Sequence, residues 1–272
     1  MKLASIMKQR INSNTNPEWP NIEVEFDRPI RFLNDYYEMF ELMDDKYKIL
    51  YLRECEAINP MQKQVISNKS LFDMILTYNN EILNACPENA HMLLFGSTWV
   101  YDYKEKEKEF GISNLVGHKY HTNGHKLRHV IHNHRYLIDM PTKFFISQQG
   151  GVKPTPDCVY LGDKKEPLFD YQFHICIENS QQINYFTEKI IDCFITKTIP
   201  VYWGCPNIGD FFDLNGIIQF NSFPELLIQC SSINQDTYKS KLEAIETNFQ
   251  RAQQYIDVTG NVEKKIIEIL KK

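Results

Sequence analysis

Between Tyr171 and Phe220 the chain gathers residue types suited to holding a phosphate. An apolar run ends in Glu178-Asn179-Ser180, and after a short polar loop an amphipathic helix begins through Tyr185, Thr187, Glu188 and Lys189. That helix runs into a second apolar stretch, Ile199 to Tyr202, which stops at Gly204. Strand, loop, helix and strand make one βαβ unit, whose ligand edge lies at the carboxyl ends of its strands. A helix start at Asn184 to Lys189 presents free backbone N–H groups and the positive end of the helix dipole, and Lys189 adds a full charge. Glu188 is suited to accepting hydrogen bonds from ribose hydroxyls, while Asn179 and Tyr185 offer neutral donors and acceptors at the same mouth. Donors fixed in this way stabilise the negative charge that builds on a departing nucleoside diphosphate. The same residues also suit a plain amphipathic helix whose Glu188 and Lys189 face water.

The elements that must position this unit recur along the chain. Period-two and continuous apolar runs predict strands at Ile22–Phe26, Tyr47–Leu52, Met74–Thr77, Met92–Phe95 and Phe110–Leu115. Helices are predicted between them at Leu33–Met43 and Pro60–Lys69, with a basic helix at Gly124–Asn133 and a return segment at Tyr136–Phe145. Strands alternating with helices imply an α/β protein with a mainly parallel sheet covered on both faces. Gln148-Gln149-Gly150-Gly151, followed by Pro154 and Pro156, reads as a hinge between a first domain of residues 1–150 and a second of 151–272. The second domain adds a strand near Gly216–Phe220 and helical patterns at Asp236–Tyr255 and Val262–Leu270, the last a closing helix. Two such halves around a cleft would hold a ligand between them.

Composition narrows the classes of function. With 272 residues and 43% hydrophobic content the chain supports a real core, and a net charge of −5 gives no basic field, so no nucleic-acid partner is expected. No segment reaches the apolar length of a membrane span, and the first twenty residues carry too short an apolar run for a signal peptide, so a soluble, cytoplasmic protein is expected. The seven cysteines are odd in number and lack a CxxC pair, which fits reduced, buried thiols. A nucleotidyl or phosphoryl enzyme would want a P-loop, and GxxxxGK[ST] is absent. Six histidines crowd between His118 and His134, and His121, His125 and His129 have the spacing of one helix face, yet no HExxH occurs and no carboxylate lies within the cluster.

The stretch FHICIENSQQINYFTEKIIDCFITKTIPVYWGCPNI closely resembles the donor-binding signature of family 10 glycosyltransferases, the α-1,3/4-fucosyltransferases. There a phenylalanine-rich strand leads to ENS, then Y-x-TEK, then a strand ending P-V-x-x-G-x-P. Upstream, Phe72 to Tyr78 resembles the family's F-D-x-x-L-T-Y segment, Ile112-Ser113-Asn114 its V-S-N strand, and Gly150-Gly151-Val152-Lys153 a glycine-rich loop on the phosphate side. The resemblance implies a GT-B fold, two Rossmann-like domains facing across a cleft, with the donor held mainly by the C-terminal one. It puts Asn179, Tyr185, Glu188 and Lys189 on donor-binding positions, Glu188 at the ribose and Lys189 at the diphosphate. Lys153 stands where many members have an arginine, keeping the charge without the bidentate fork. Arg128 matches a basic residue in the stretch after V-S-N, where it would hold the diphosphate or bridge the domains.

By the same resemblance the chain is expected to be an inverting glycosyltransferase, moving fucose from GDP-fucose to a hydroxyl of a glycan or glycoprotein. Inversion needs a carboxylate from the first half to take the proton of the attacking hydroxyl. Glu56, just after a buried strand, resembles the family's glutamate, with Glu54 and Asp73 as rivals. No tightly bound cofactor is implied, and with no Asp-x-Asp pair in the chain a divalent metal is not required. The short first half suggests a small acceptor platform and a microbial or viral enzyme. Two alternatives stay open: the same chemistry with another donor such as UDP-xylose, and a non-catalytic module that binds nucleotide or glycan.

Overall fold

Apolar runs this continuous are buried on both faces, as strands of a parallel sheet are. The computed structural model describes residues 29–147 and 154–271, and its ten strands form two sheets, parallel throughout. The described chain divides into two compact units, residues 29–95 together with 257–271, and residues 96–256.

In the first unit β1 (Ile30–Asn34), β2 (Tyr47–Leu52), β3 (Met74–Thr77) and β4 (Ala90–Met92) lie in sequence order. Side chains alternate between faces along a strand. Leu33, Leu50 and Ile75 pack with Val65 of α1 (Gln62–Ser67) and Ile82 of α2 (Asn80–Ala85). The neighbouring residues, Phe32, Ile49 and Met74, join a second cluster on the other side.

The second unit strings together β5 (Glu109–Val116), α3 (Asn123–Asn133), β6 (Thr142–Ile146), β7 (Cys158–Tyr160), β8 (Tyr171–Ile177), α4 (Glu188–Ile195), β9 (Ile199–Trp203) and β10 (Ile218–Gln219). Three helices follow, α5 (Phe223–Ser232), α6 (Gln235–Lys239) and α7 (Leu242–Ala252). The sheet order is β10-β9-β8-β5-β6-β7. The chain winds outward from β5 to β7, then returns to lay β8 on the other side of β5 and continues to β10. Strand order therefore reverses between β5 and β8, and in a doubly wound sheet the crevice outside the strand ends at that reversal is where a ligand binds. The last helix, α8 (Val258–Leu270), returns to the first unit, where Val262 and Ile266 complete the second cluster.

Several expectations change. The division falls at residue 95, because β5 and β6 pair in one sheet with β8, and a cut near residue 150 would split that sheet. The closing helix packs on the first unit's strands, so the second unit ends before it. Leu33–Met43 is no helix: Leu33 pairs with Leu50 in β1, Asp35 takes a left-handed φ of 59° that ends the strand, and only a 3-10 turn forms at Met39–Leu42. The strand expected at Met92–Phe95 lies earlier, at Ala90–Met92, and the helix expected over Asp236–Tyr255 is interrupted at Ser240–Lys241. The Ile22–Phe26 strand and the Gln148–Gly151 hinge fall outside the described residues. All seven cysteines are free and buried, as their spacing suggested.

One close approach fixes α3 on the sheet. Gly124 N donates to the Asn179 carbonyl at 3.2 Å, and a Cβ at this position would stand 1.8 Å from the Glu178 carbonyl oxygen. A Gly124→Ala protein must push α3 off the end of β8, a misfit that costs about 1–3 kcal/mol. Scanning calorimetry should show its Tm lowered by roughly 2–4 °C per kcal/mol lost; an unchanged Tm would mean that the two elements do not meet this tightly.

Candidate functional site

Glu178 closes β8 and is fully buried. Both carboxylate oxygens are occupied by one residue: Thr187 N donates to Oε1 at 2.9 Å and the Thr187 hydroxyl to Oε2 at 2.7 Å. Thr187 is in turn the N-cap of α4, its side chain accepting from Lys189 N. The loop between strand and helix is thereby closed at both ends. Its middle is held by a reciprocal amide pair: Asn184, at a left-handed φ of 64°, donates its backbone N–H to Asn207 Oδ1 at 2.8 Å, and Asn207 Nδ2 donates to Asn184 Oδ1 at 2.9 Å. Asparagine tolerates that conformation better than most residues. Phe186 locks the loop from below, edge-on to Phe212 and Tyr255.

Lys189 follows from this frame. Its ammonium donates to the Thr187 hydroxyl at 3.0 Å and to Glu188 Oε1 at 2.9 Å, with Glu178 Oε2 at 3.8 Å. Burial works against the ammonium, but Glu188 and Glu178 outweigh it and Lys189 is pushed up to about 12. Burial likewise opposes the Glu188 carboxylate, and Lys189 and Lys165 overcome it, bringing Glu188 down to about 2. Both groups therefore stay ionised across the physiological range.

At the strand reversal lies a cavity of about 210 Å³, lined at the strand ends by Leu115, Gly117 and Ile177 and by Lys189 of α4. Among the described residues four cations, Lys119, Arg128, Lys165 and Lys189, line it against one carboxylate, Asp192. Arg128 reaches from α3 to the Ile177 carbonyl and, at 3.4 Å, to Asn179 Oδ1, so it braces the end of β8 while lining the cavity. His125 Nδ1 accepts from Thr122 N at 3.3 Å, which leaves the proton on Nε2. Burial, with Arg128 beside it, lowers His125 to about 4, so it offers a neutral donor. A concave, cation-rich site at a helix N-terminus suits a ligand carrying phosphate.

The predicted residues divide between the two units. Lys189 and Arg128 line the cavity; Glu188 borders it through Lys165, whose ammonium is 3.8 Å from Glu188 and 3.9 Å from Asp192. Asn179 touches Arg128 but does not line the cavity, and Tyr185 is 1% exposed within the fold. Lys153 lies outside the described residues. In the first unit Glu56 lies past the end of β2, half-buried in a small recess with Tyr78 and Asn79, where its Oε1 accepts from Gln62 N at 3.2 Å. Burial raises its pKa. Asp35 organises the approach to it, accepting from the backbone N–H groups of Arg53 and Glu54. Asp73 stands at the opposite, amino-terminal end of the strands, before β3, where it accepts from Lys48 N at 2.8 Å.

Sequence reasoning missed Glu178, Lys165, Asp192 and His174. Glu178 was readable as part of Glu178-Asn179-Ser180, but its role as an anchor needed the contact to Thr187. Lys165 and Asp192 carry no local signal; Asp192 accepts from the Thr98 hydroxyl at 2.7 Å and from Trp99 N at 2.9 Å, across 94 residues of chain. The histidines serve separate ends: His129 meets the Lys119 carbonyl, His132 packs on Phe144, and His134 bonds Val130 O. Among the described residues no group of three or more His, Cys, Asp or Glu side chains is placed to hold a metal ion, and no helix is long and apolar enough to cross a membrane.

Residues 134–255 match the family described as glycosyltransferase family 10 (fucosyltransferase) C-term. The alpha-(1,3)-fucosyltransferase FucT of Helicobacter pylori is 41% identical over 61 residues, 22% of this chain and 13% of that protein. An alpha-(1,4)-fucosyltransferase of Arabidopsis thaliana is 27% identical over 92 residues, 30% of this chain and 23% of that protein. The matched stretches thus span less than a quarter of either relative. Among solved structures, an alpha1,3-fucosyltransferase with GDP-fucose superposes with a TM-score of 0.52 at 15% identity, over 90% of this chain and 94% of that one. TarM superposes with a TM-score of 0.56 at 15% identity, over 85% of this chain and 52% of that one. These likenesses show the fold, which is of the GT-B glycosyltransferase type.

Asp192 supplies a prediction about stability. Burial pushes it up to about 7, against the pull of Lys165 and of the bonds from Thr98 and Trp99. An unfolded carboxylate ionises near 4, so between the two values the folded protein binds the extra proton and stability falls as pH rises. Asp192→Asn keeps an acceptor for Thr98 and Trp99 and removes that slope. Its Tm should match the parent below pH 4, where both states are protonated, and exceed it at pH 8 by roughly 2–4 °C for each kcal/mol recovered; an equal loss of Tm in both proteins across this range would assign the titration to another group.

Proposed function

We propose that this chain, a family 10 fucosyltransferase-like protein, transfers fucose from GDP-fucose to a hydroxyl of a glycan, with inversion at the anomeric carbon. The observation that carries the reading is the start of α4, where Lys189, Glu188 and the Glu178–Thr187 clamp meet a cation-lined cavity at the strand reversal. Similar solved structures include an alpha1,3-fucosyltransferase with GDP and one with GDP-fucose, which supports that donor.

In this reading Lys189 and Arg128 face the diphosphate and Glu188 accepts from the ribose. Lys189 has three N–H donors, of which Thr187 and Glu188 take two. The third and the backbone N–H groups of the first turn remain for the phosphate oxygens, whose charge grows as the glycosidic bond breaks. The hydroxyl of the acceptor attacks the anomeric carbon from the face opposite the leaving diphosphate, and a carboxylate takes its proton. We assign that role to Glu56: it stands beyond the carboxyl end of its strand, whereas Asp73 stands at the other end of the sheet. A pKa raised by burial makes Glu56 a stronger base than a solvated glutamate. No residue in this scheme calls for a metal, and charge on the leaving group is met by side-chain and backbone donors.

Two substitutions separate these roles. Lys189→Ala should lower the transfer rate by roughly 10²–10³-fold, the scale of losing one transition-state donor, and weaken GDP binding in calorimetry; undiminished GDP affinity would remove Lys189 from the donor site. Glu56→Gln should reduce transfer by roughly 10²–10⁴-fold, the scale of general-base catalysis, with GDP affinity unchanged. The acid limb of kcat/KM should also lie above the usual carboxylate range in the parent protein. If the Gln protein keeps full activity, the base is another carboxylate.

A further inference from the structure

One buried ionisable group in the cavity has no part in holding phosphate. His174 lies in the middle of β8 and is 7% exposed, with its ring packed against Phe169, yet it is among the residues that line the cavity. Its Nδ1 is 2.7 Å from the Ser113 hydroxyl, and that hydroxyl donates to the Leu168 carbonyl at 2.5 Å. A hydroxyl has one proton, and Leu168 receives it; Ser113 can then only accept, so the proton of the imidazole sits on Nδ1. Nε2 consequently carries a lone pair. Among the described residues it has no hydrogen-bond partner, and it is not one of the buried, enclosed polar atoms. Burial, with Lys165 and Arg128 nearby, brings His174 down to about 3, so the ring stays neutral and the lone pair stays available.

We propose that His174 is a specificity-determining residue of the donor site, its Nε2 accepting a hydrogen bond from a ring N–H of the donor nucleobase. The inference rests on the reading of the cavity as a nucleoside diphosphate site. From His174 to Glu178 the strand advances about 13 Å at about 3.3 Å per residue. The two ends therefore differ: Lys189 and the helix start lie at the strand terminus, and His174 offers a neutral acceptor beside Leu168 and Phe169, with Lys165 near it. A nucleoside diphosphate has the same polarity, with phosphates at one end and a flat base at the other. Guanine carries a ring N1–H on its pairing edge, while neutral adenine presents a ring nitrogen lone pair there, which would meet the lone pair of Nε2. A site built to receive a donor discriminates strongly against an analogue without one, because the buried acceptor is left unmet.

Calorimetric titration of the full-length protein with GDP and with ADP tests this. The parent should bind GDP more tightly than ADP. His174→Phe should weaken GDP binding about tenfold, the loss of about 1.4 kcal/mol in one buried hydrogen bond, with ADP affinity changed far less, so that the preference collapses. His174→Gln, which keeps an acceptor at the ε position, should retain most of the preference. Ser113→Ala removes only the hydroxyl that fixes the tautomer and should weaken GDP binding several-fold; it serves where the Phe protein does not fold. Equal losses for GDP and ADP would make His174 a structural residue and overturn the proposal, as would an unchanged GDP-to-ADP ratio in the Phe and Ala proteins. Failure of the parent to bind either nucleotide would instead overturn the reading of the cavity itself.

Discussion

A carboxylate without access to water must find its hydrogen bonds in the protein, and Glu178 finds them in Thr187. Much of the second unit is arranged around that requirement. The loop from strand to helix has one length and one closure because both oxygens are satisfied by the same residue. Thr187, so held, caps α4 and sets where the helix begins, and the cap brings the Lys189 ammonium back over the buried charge. Two backbone approaches to Glu178 fall on glycine. A Cβ at Gly124 would strike its carbonyl oxygen, and one at Gly204 would lie 2.6 Å from its Cγ and 2.3 Å from the Tyr202 hydroxyl. Arg128, bonded to the carbonyl just before it, closes the remaining side.

From this anchor the electrostatics of the site follow. Glu178 and Glu188 hold Lys189 charged in surroundings that would otherwise favour the neutral amine, and Lys189 with Lys165 holds Glu188 ionised. The site therefore keeps its charges at fixed places before any ligand arrives, so that little reorganisation remains for the moment at which charge moves onto a leaving group. Away from that end the lining changes in character, to the neutral ring of His174 and the side chains of Leu168 and Phe169. One cavity thus offers a cationic helix start and, farther along the strand, a neutral ring nitrogen flanked by apolar side chains.

What could be read from the sequence was the local part. β8, α4 and β9 were legible because the contacts that make them are short in sequence: Glu178 and Thr187 are nine residues apart, and the switch from continuous apolar residues to helical spacing takes place between them. Lys189 and Glu188 were found on the same ground. The strand order was not legible, since nothing in β5 records that β8 will lie beside it, and so the position of the cavity was hidden. Arg128 was reached through resemblance; its partner Ile177 is 49 residues away. Lys165, Asp192 and His174 become functional candidates only when distant segments meet. The helix expected at Leu33–Met43 shows the reverse error: its apolar spacing was compatible with a helix, but pairing of Leu33 with Leu50 in a buried sheet outweighs a weak local preference.

The structure of the protein with GDP bound tests the central claim most directly. The account predicts that the diphosphate lies against the first turn of α4 within hydrogen-bond distance of Lys189 Nζ, with the ribose hydroxyls at Glu188 and the Glu178–Thr187 clamp unchanged. A nucleotide seated elsewhere, with the start of α4 untouched, would contradict it.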